Sequence, residues 1–169
     1  FFSDYSFVVI FYKYLRNLQA IRDVVLDQEN LEYISRKAVE ETGMGGYEYK
    51  LIKNRLAAVK TPGIEDLTTD AMTGDDGLTL VEYSPFGVIG AITPTTNPTE
   101  TIICNSIGML AAGNAVVFSP HPRAKEVSLH LVRLINKALA VAGAPDNLVV
   151  TVSEPSIANT NAMMNHPKI

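Results

Sequence analysis

Between Glu82 and Arg123 the chain carries one formal charge, Glu100. A stretch this poor in charge predicts the centre of a core, because water-facing elements are rich in Lys, Arg, Asp and Glu. The charges lie upstream: residues 1–82 hold 14 of the 18 acidic and 9 of the 14 basic groups. The two halves therefore read differently. In the first, Leu15, Leu18, Ile21 and Val25 recur at helical spacing, which predicts a helix from Lys13 to about Leu26. Leu31, Ile34, Ala38 and Val39 predict a second, with Gly43 where a left-handed cap is wanted. A third, about Tyr47 to Lys60, stops before Thr61-Pro62-Gly63. Residues 61–77 read as a loop ending in Gly74-Asp75-Asp76-Gly77, a solvated turn, and Leu78 to Tyr83 alternates as an amphipathic strand.

The second half alternates short apolar strands with helices. Val88–Thr93, Ala115–Ser119 and Leu148–Val152 read as buried strands. Thr99–Ala112 and Arg123–Ala142 read as helices, closed by Gly113-Asn114 and Gly143. The order βαβαβ predicts an α/β fold: N-terminal helices followed by half of a doubly wound, Rossmann-like parallel sheet.

Composition removes several classes of function. With 47% hydrophobic and 19% charged residues, the chain is too apolar to be disordered. Its net charge of −4 argues against a nucleic-acid or polybasic membrane-surface partner. The run Phe7–Tyr12 is too short for a membrane helix and lacks the basic flank of a signal peptide. One cysteine makes no internal disulfide, which fits a reducing compartment, and no zinc pattern is present, so no metal site is expected. The missing initiator Met suggests that residues are absent at this end.

Ligands of doubly wound sheets bind beyond the carboxyl ends of the strands. Here those ends are Thr93-Pro94-Thr95-Thr96-Asn97-Pro98, Ser119-Pro120-His121-Pro122 and Ser153-Glu154-Pro155, which are stiff loops offering hydroxyls, amides and backbone N–H groups. The glycine fingerprint G-x-G-x-x-G is absent after the first strand, so either the ligand is no dinucleotide or the fold binds one differently. Glu100, near a helix start, is explained by the helix dipole. Cys104, amid Ile102, Ile103 and Ile107, is expected to be a buried structural thiol. His130 and His166 have no metal-ligand partner at a useful spacing.

The segment from Pro85 to Thr99, Pro-Phe-Gly-Val-Ile-Gly-Ala-Ile-Thr-Pro-Thr-Thr-Asn-Pro-Thr, resembles the signature of aldehyde dehydrogenases. With Ser106–Phe118, Ser119-Pro120-His121-Pro122, Glu40–Gly45 and Lys53–Ala58, it is similar to the coenzyme-A-acylating branch that serves ethanolamine and propanediol utilisation. Pro145–Val152 and Glu154-Pro155 continue the match, which spans about residues 20–169. The resemblance implies that an aldehyde of the acetaldehyde or propionaldehyde class, NAD and coenzyme A give an acyl-CoA and NADH. A cysteine thiolate attacks the aldehyde, hydride leaves to nicotinamide, and the thioester passes to coenzyme A. In this family the dinucleotide sits on a Rossmann-like sheet without the glycine fingerprint.

The resemblance also implies roles. Asn97 would donate to the oxyanion formed in the attack, with Thr96 the other candidate, because a gap-free alignment to non-acylating relatives sets Thr96 opposite their asparagine. Thr93, Pro94, Thr95, Ser119, Pro120, His121 and Pro122 would border the cofactor. Ser119 replaces the lysine that holds the adenosine ribose in those relatives. The family's nucleophile lies downstream, so residues 1–169 are expected to form an N-terminal third that is inactive alone. Within it, 1–77 would be a helical region, 78–86 an oligomerisation strand and 87–169 the first part of the NAD-binding domain. A homo-oligomeric parent is implied, in the cytoplasm or inside a bacterial microcompartment whose shell it could contact. Two alternatives stay open: a bifunctional alcohol–aldehyde dehydrogenase, and a short non-catalytic nucleotide-binding or interaction protein. Tyr12, Leu15, Leu18 and Ile21 could form an interaction face in residues 1–20, although core packing serves them equally.

Overall fold

The computed structural model describes the backbone of residues 4–169 and the side chains of residues 14–169. Three helices open it: α1 (Asp4–Leu26), α2 (Gln28–Thr42) and α3 (Tyr47–Lys60). Asp27 separates the first two and caps α2, its carboxylate accepting from Asn30 N at 3.1 Å. Gly43 ends α2 in the left-handed region at φ 67°, as the sequence predicts. Leu18, Ile21 and Val25 are buried and Leu15 is exposed, so Leu18 and Ile21 serve the core and not an interaction face. Tyr12 lies outside the described side chains.

Residues 61–77 do not form a loop throughout, which corrects the sequence reading. A 3-10 turn spans Ile64–Asp66, and β1 (Asp70–Gly74) pairs antiparallel with β2 (Gly77–Val81), Gly74 facing Gly77 across the Asp75-Asp76 turn. Every residue of both strands is exposed. With no buried face, Asp-Ala-Met-Thr-Gly needs no apolar alternation, and that hid the strand. The expected Leu78–Tyr83 strand is the second arm of this hairpin.

Next come β3 (Val88–Thr93), α4 (Pro98–Ala111), β4 (Ala115–Pro120), a 3-10 turn (Pro122–Ala124), α5 (Lys125–Val141), β5 (Val149–Thr151) and α6 (Ile157–Met164). The strands form one parallel sheet in the order β3-β4-β5. This is the expected βαβαβ unit; α6, short and weakly amphipathic, was not foreseen. The core joins Ile102, Ile103, Ile107 and Leu110 of α4 to Val127, Leu131, Ile135 and Leu139 of α5, over Val116 and Phe118. Charge poverty does mark α4 and β4 as core. It fails at Tyr83, Phe86 and Ile92, which are exposed on the linker to the hairpin and on β3, the strand at one end of the sheet.

Candidate functional site at the carboxyl end of the sheet

The parallel register sets Thr93 beside Pro120 and Phe118 beside Thr151, so the three strand exits share one edge. The loop after β3 leads into α4 through Asn97, its N-cap, with Pro98 at the first helical position where a missing N–H costs nothing. The Asn97 side chain does not cap its own helix. Its main-chain carbonyl accepts from Thr101 N at 3.1 Å and from Thr101 Oγ1 at 2.7 Å. Its side-chain Oδ1 accepts from Lys53 Nζ at 3.3 Å. Thr96, the other candidate, is exposed, and its carbonyl accepts from Lys50 Nζ at 2.5 Å.

Lys50 is the residue that sequence reasoning missed. It is 2% exposed, and its ammonium also reaches the Glu100 carboxylate at 3.2 and 3.5 Å. Thr99 Oγ1 donates to the same carboxylate at 3.1 Å. Glu100 is therefore not simply a dipole partner: it is 8% exposed and forms a buried ion pair. The available signal was Glu100 itself, since a lone charge in an uncharged stretch needs a countercharge when buried. Nothing in the sequence singled out Lys50 among its neighbours Lys53 and Arg55.

Asn97, Glu100, Thr101, Cys104 and Lys53 line an open groove of about 580 Å³ between α3 and α4. Cys104 packs against the core as expected but is half-buried on this groove rather than fully buried. Its Sγ lies 3.1 Å from Thr61 Oγ1, whose single proton is also offered to the Ala57 carbonyl at 2.6 Å. The reason is geometric: Ile103 and Ile107 take the core-facing side of α4, leaving Cys104 toward α3.

The expected cofactor-bordering residues divide. Thr93, 1% exposed, keeps a buried hydroxyl with no partner among the described residues, whereas Pro94 is exposed and Thr95 half-buried. Ser119 is also 1% exposed, and its hydroxyl meets Thr160 Oγ1 of α6 at 2.7 Å, so α6 covers it. Pro120 is buried, while His121 and Pro122 are exposed. His121 Nδ1 accepts from Arg123 N at 3.1 Å, a local turn. Loops 94–97 and 119–122 hold no acidic residue, so nothing there repels a diphosphate. The same loop is tied to the N-terminal helices: Arg123 donates to the Thr42 carbonyl at 2.5 Å. Glu41 accepts from Glu126 N at 2.7 Å and Val127 N at 2.8 Å, capping α5 from another element.

A parallel sheet without the glycine fingerprint, an asparagine at the first strand exit and a Pro-rich second exit agree with the family read from the sequence. The model of the aldehyde dehydrogenase family matches residues 49–169. The chain belongs to the aldehyde dehydrogenase family. Among curated relatives, it is 57% identical over 136 residues to a CoA-propanoylating propanal dehydrogenase of Salmonella typhimurium, covering 80% of this chain and 29% of that one. Among solved structures, it matches Rhodopseudomonas palustris propionaldehyde dehydrogenase with bound CoA and an acylated cysteine. That match has 77% identity and a TM-score of 0.91, covering 94% of this chain and 36% of the other. A propionaldehyde dehydrogenase from a Clostridium phytofermentans fucose-utilisation microcompartment matches at 54% identity and TM-score 0.88, over 93% of this chain and 36% of the other. The chain thus spans about a third of the length of these relatives, and its α/β architecture is theirs. Among the described residues no helix is long and apolar enough to cross a membrane.

Proposed function

We propose that these residues form the helical layer and the first half of the cofactor sheet of a CoA-acylating aldehyde dehydrogenase acting on small aldehydes such as propanal. The observation that carries this is the strand-exit loop Thr93–Asn97, held against α3 with a side-chain amide at the head of α4 and beside an open groove. Asn97 supplies an amide donor to the oxygen that gains charge as a thiolate attacks the carbonyl. Pro98 stiffens the loop, and the two bonds from Thr101 fix the backbone, so the donor needs little reorganisation.

NAD supplies the hydride acceptor and coenzyme A the thiol that takes the acyl group. The chain's own contribution to holding them is the rim of Pro94, Thr95, His121 and Pro122, which carries no acidic group, with Thr93, Ser119 and Pro120 shaping it from beneath. Cys104 is assigned no catalytic role: its thiol is tied to Thr61, and in the family the nucleophile lies in a later segment. The β1–β2 hairpin leaves Met72, Leu78 and Leu80 exposed, which supports an oligomerisation arm beginning at Asp70. A microcompartment setting is carried over from the Clostridium relative.

Purification of the natural polypeptide with its intact mass, followed by NADH absorbance with propanal, NAD and coenzyme A, tests the proposal. Scaling 18.4 kDa by the 36% share predicts a mass of about 50 kDa. Reduction that requires coenzyme A supports the reading. Reduction indifferent to coenzyme A assigns a non-acylating enzyme instead. An 18.4 kDa natural chain that binds nucleotide without turnover replaces the enzyme with a binding protein.

A further inference from the structure

We propose that Lys53 is a positioning residue that fixes which end of the Asn97 amide faces the reacting oxygen. The inference rests on the reading of Asn97 as the oxyanion donor and adds what orients it. An amide has an acceptor end and a donor end, and a lysine ammonium can only donate. By donating to Oδ1 at 3.3 Å, Lys53 claims the acceptor end. The Nδ2 group is then the end the side chain presents elsewhere.

Two further observations make this more than a surface contact. An asparagine at an N-cap ordinarily turns its oxygen to its own helix, yet Asn97 makes no such bond. The amide has left its usual partner and turned to α3. The backbone around it is immobilised on both sides, by Lys50 at the Thr96 carbonyl and by Thr101 at the Asn97 carbonyl. Lys50 and Lys53, three residues apart, lie on one face of α3 and engage successive residues of the loop. With the main chain held, the amide torsion is what remains to be set, and the Lys53 ammonium sets it. A positive charge at Oδ1 also polarises the amide and strengthens Nδ2–H as a donor.

The test uses the natural full-length polypeptide with propanal, NAD and coenzyme A, comparing Asn97→Ala, Lys53→Met, Lys53→Arg and the Lys53→Met/Asn97→Ala pair. Asn97→Ala is expected to lower kcat by about 10²–10³, the usual loss for an oxyanion donor. Lys53→Met is expected to lower kcat roughly tenfold with the aldehyde KM unchanged, a share of that loss because the amide can then flip. Lys53→Arg, which keeps the donor, recovers most of it, and Lys53→Met adds nothing once Asn97 is gone. Lys53 is exposed, so its removal leaves the core intact. Normal kcat in Lys53→Met, a raised KM alone, no recovery in Lys53→Arg, or additive losses in the pair each overturn the role of Lys53 while leaving Asn97 its own. An unchanged kcat in Asn97→Ala overturns the reading of Asn97, and the orienting role with it.

Discussion

Lys50→Met isolates the buried ion pair beneath the candidate site. The substitution keeps most of the length of the unbranched side chain and removes its charge. Glu100 is then left 8% exposed, with the Thr99 hydroxyl at 3.1 Å as its remaining hydrogen-bond donor. Breaking a buried pair from one side costs about 3–5 kcal/mol, because the surviving charge is largely desolvated and has lost its countercharge. The Thr96 carbonyl also loses its donor, so the upper part of that range is expected. Urea unfolding of the natural polypeptide, followed by far-UV circular dichroism, gives the difference from the shift in midpoint at constant slope. The control is Lys50→Met with Glu100→Leu, which removes both charges and keeps apolar volume. Such replacements are often neutral or stabilising, so the pair should return to within about 1–2 kcal/mol of the parent. A single variant costing less than about 1 kcal/mol, or a double variant as unstable as the single, would refute the argument that an unpaired buried charge is the source of the loss.

Glu41→Ala removes the two acceptors at the start of α5 and should cost about 1–2 kcal/mol in the same unfolding assay, with Glu41→Gln intermediate. His130, in tilted contact with Tyr33 with ring centroids 4.4 Å apart, is held below its usual value of 6.5 by burial and then by the Arg133 charge. The unfolded chain therefore binds the proton first: the contribution is complete above about 6.5 and is lost as pH falls through the lower folded value. Thermal midpoints should thus drop between about pH 7.5 and 5.5, and His130→Phe should flatten that drop; an unchanged slope would exclude His130 as its source. Cys104→Ser should keep kcat within about threefold, since the hydroxyl replaces the thiol opposite Thr61; loss of turnover in the folded variant would refute the absence of a catalytic role for Cys104.

The βαβαβ order was legible because each strand and helix there buries a face, and burial writes periodicity into sequence. The exceptions share the opposite cause. β1 buries nothing, and so left no pattern. At the site, Asn97 could be named from the loop, but its partners could not, because Lys53 is 44 residues away and Lys50 is 50 residues from Glu100. Contacts across such separations depend on how α3 packs on α4, which local pattern does not encode. Cys104 packs against the core as expected of a structural thiol but falls short of full burial, for a related reason. Its neighbours in sequence are apolar, but its neighbours in space include the Thr61 hydroxyl at the end of α3 as well as the core.

The uneven charge distribution has a structural meaning that composition alone does not supply. A stretch with one charge can build a sheet and its covering helix, but it cannot furnish the fixed charges that meet Glu100 and the polar groups around its ends. The N-terminal helices furnish them. Lys50 neutralises Glu100 and holds the Thr96 carbonyl, Lys53 meets Asn97, and Glu41 caps α5. In return Arg123, the first charge after the neutral stretch, binds the Thr42 carbonyl at the end of α2. The helical layer is thus a source of fixed charge for the carboxyl end of the sheet as well as a cover for its core. A sheet unit expressed without residues 14–60 would keep its apolar pattern and lose the groups that position its first loop.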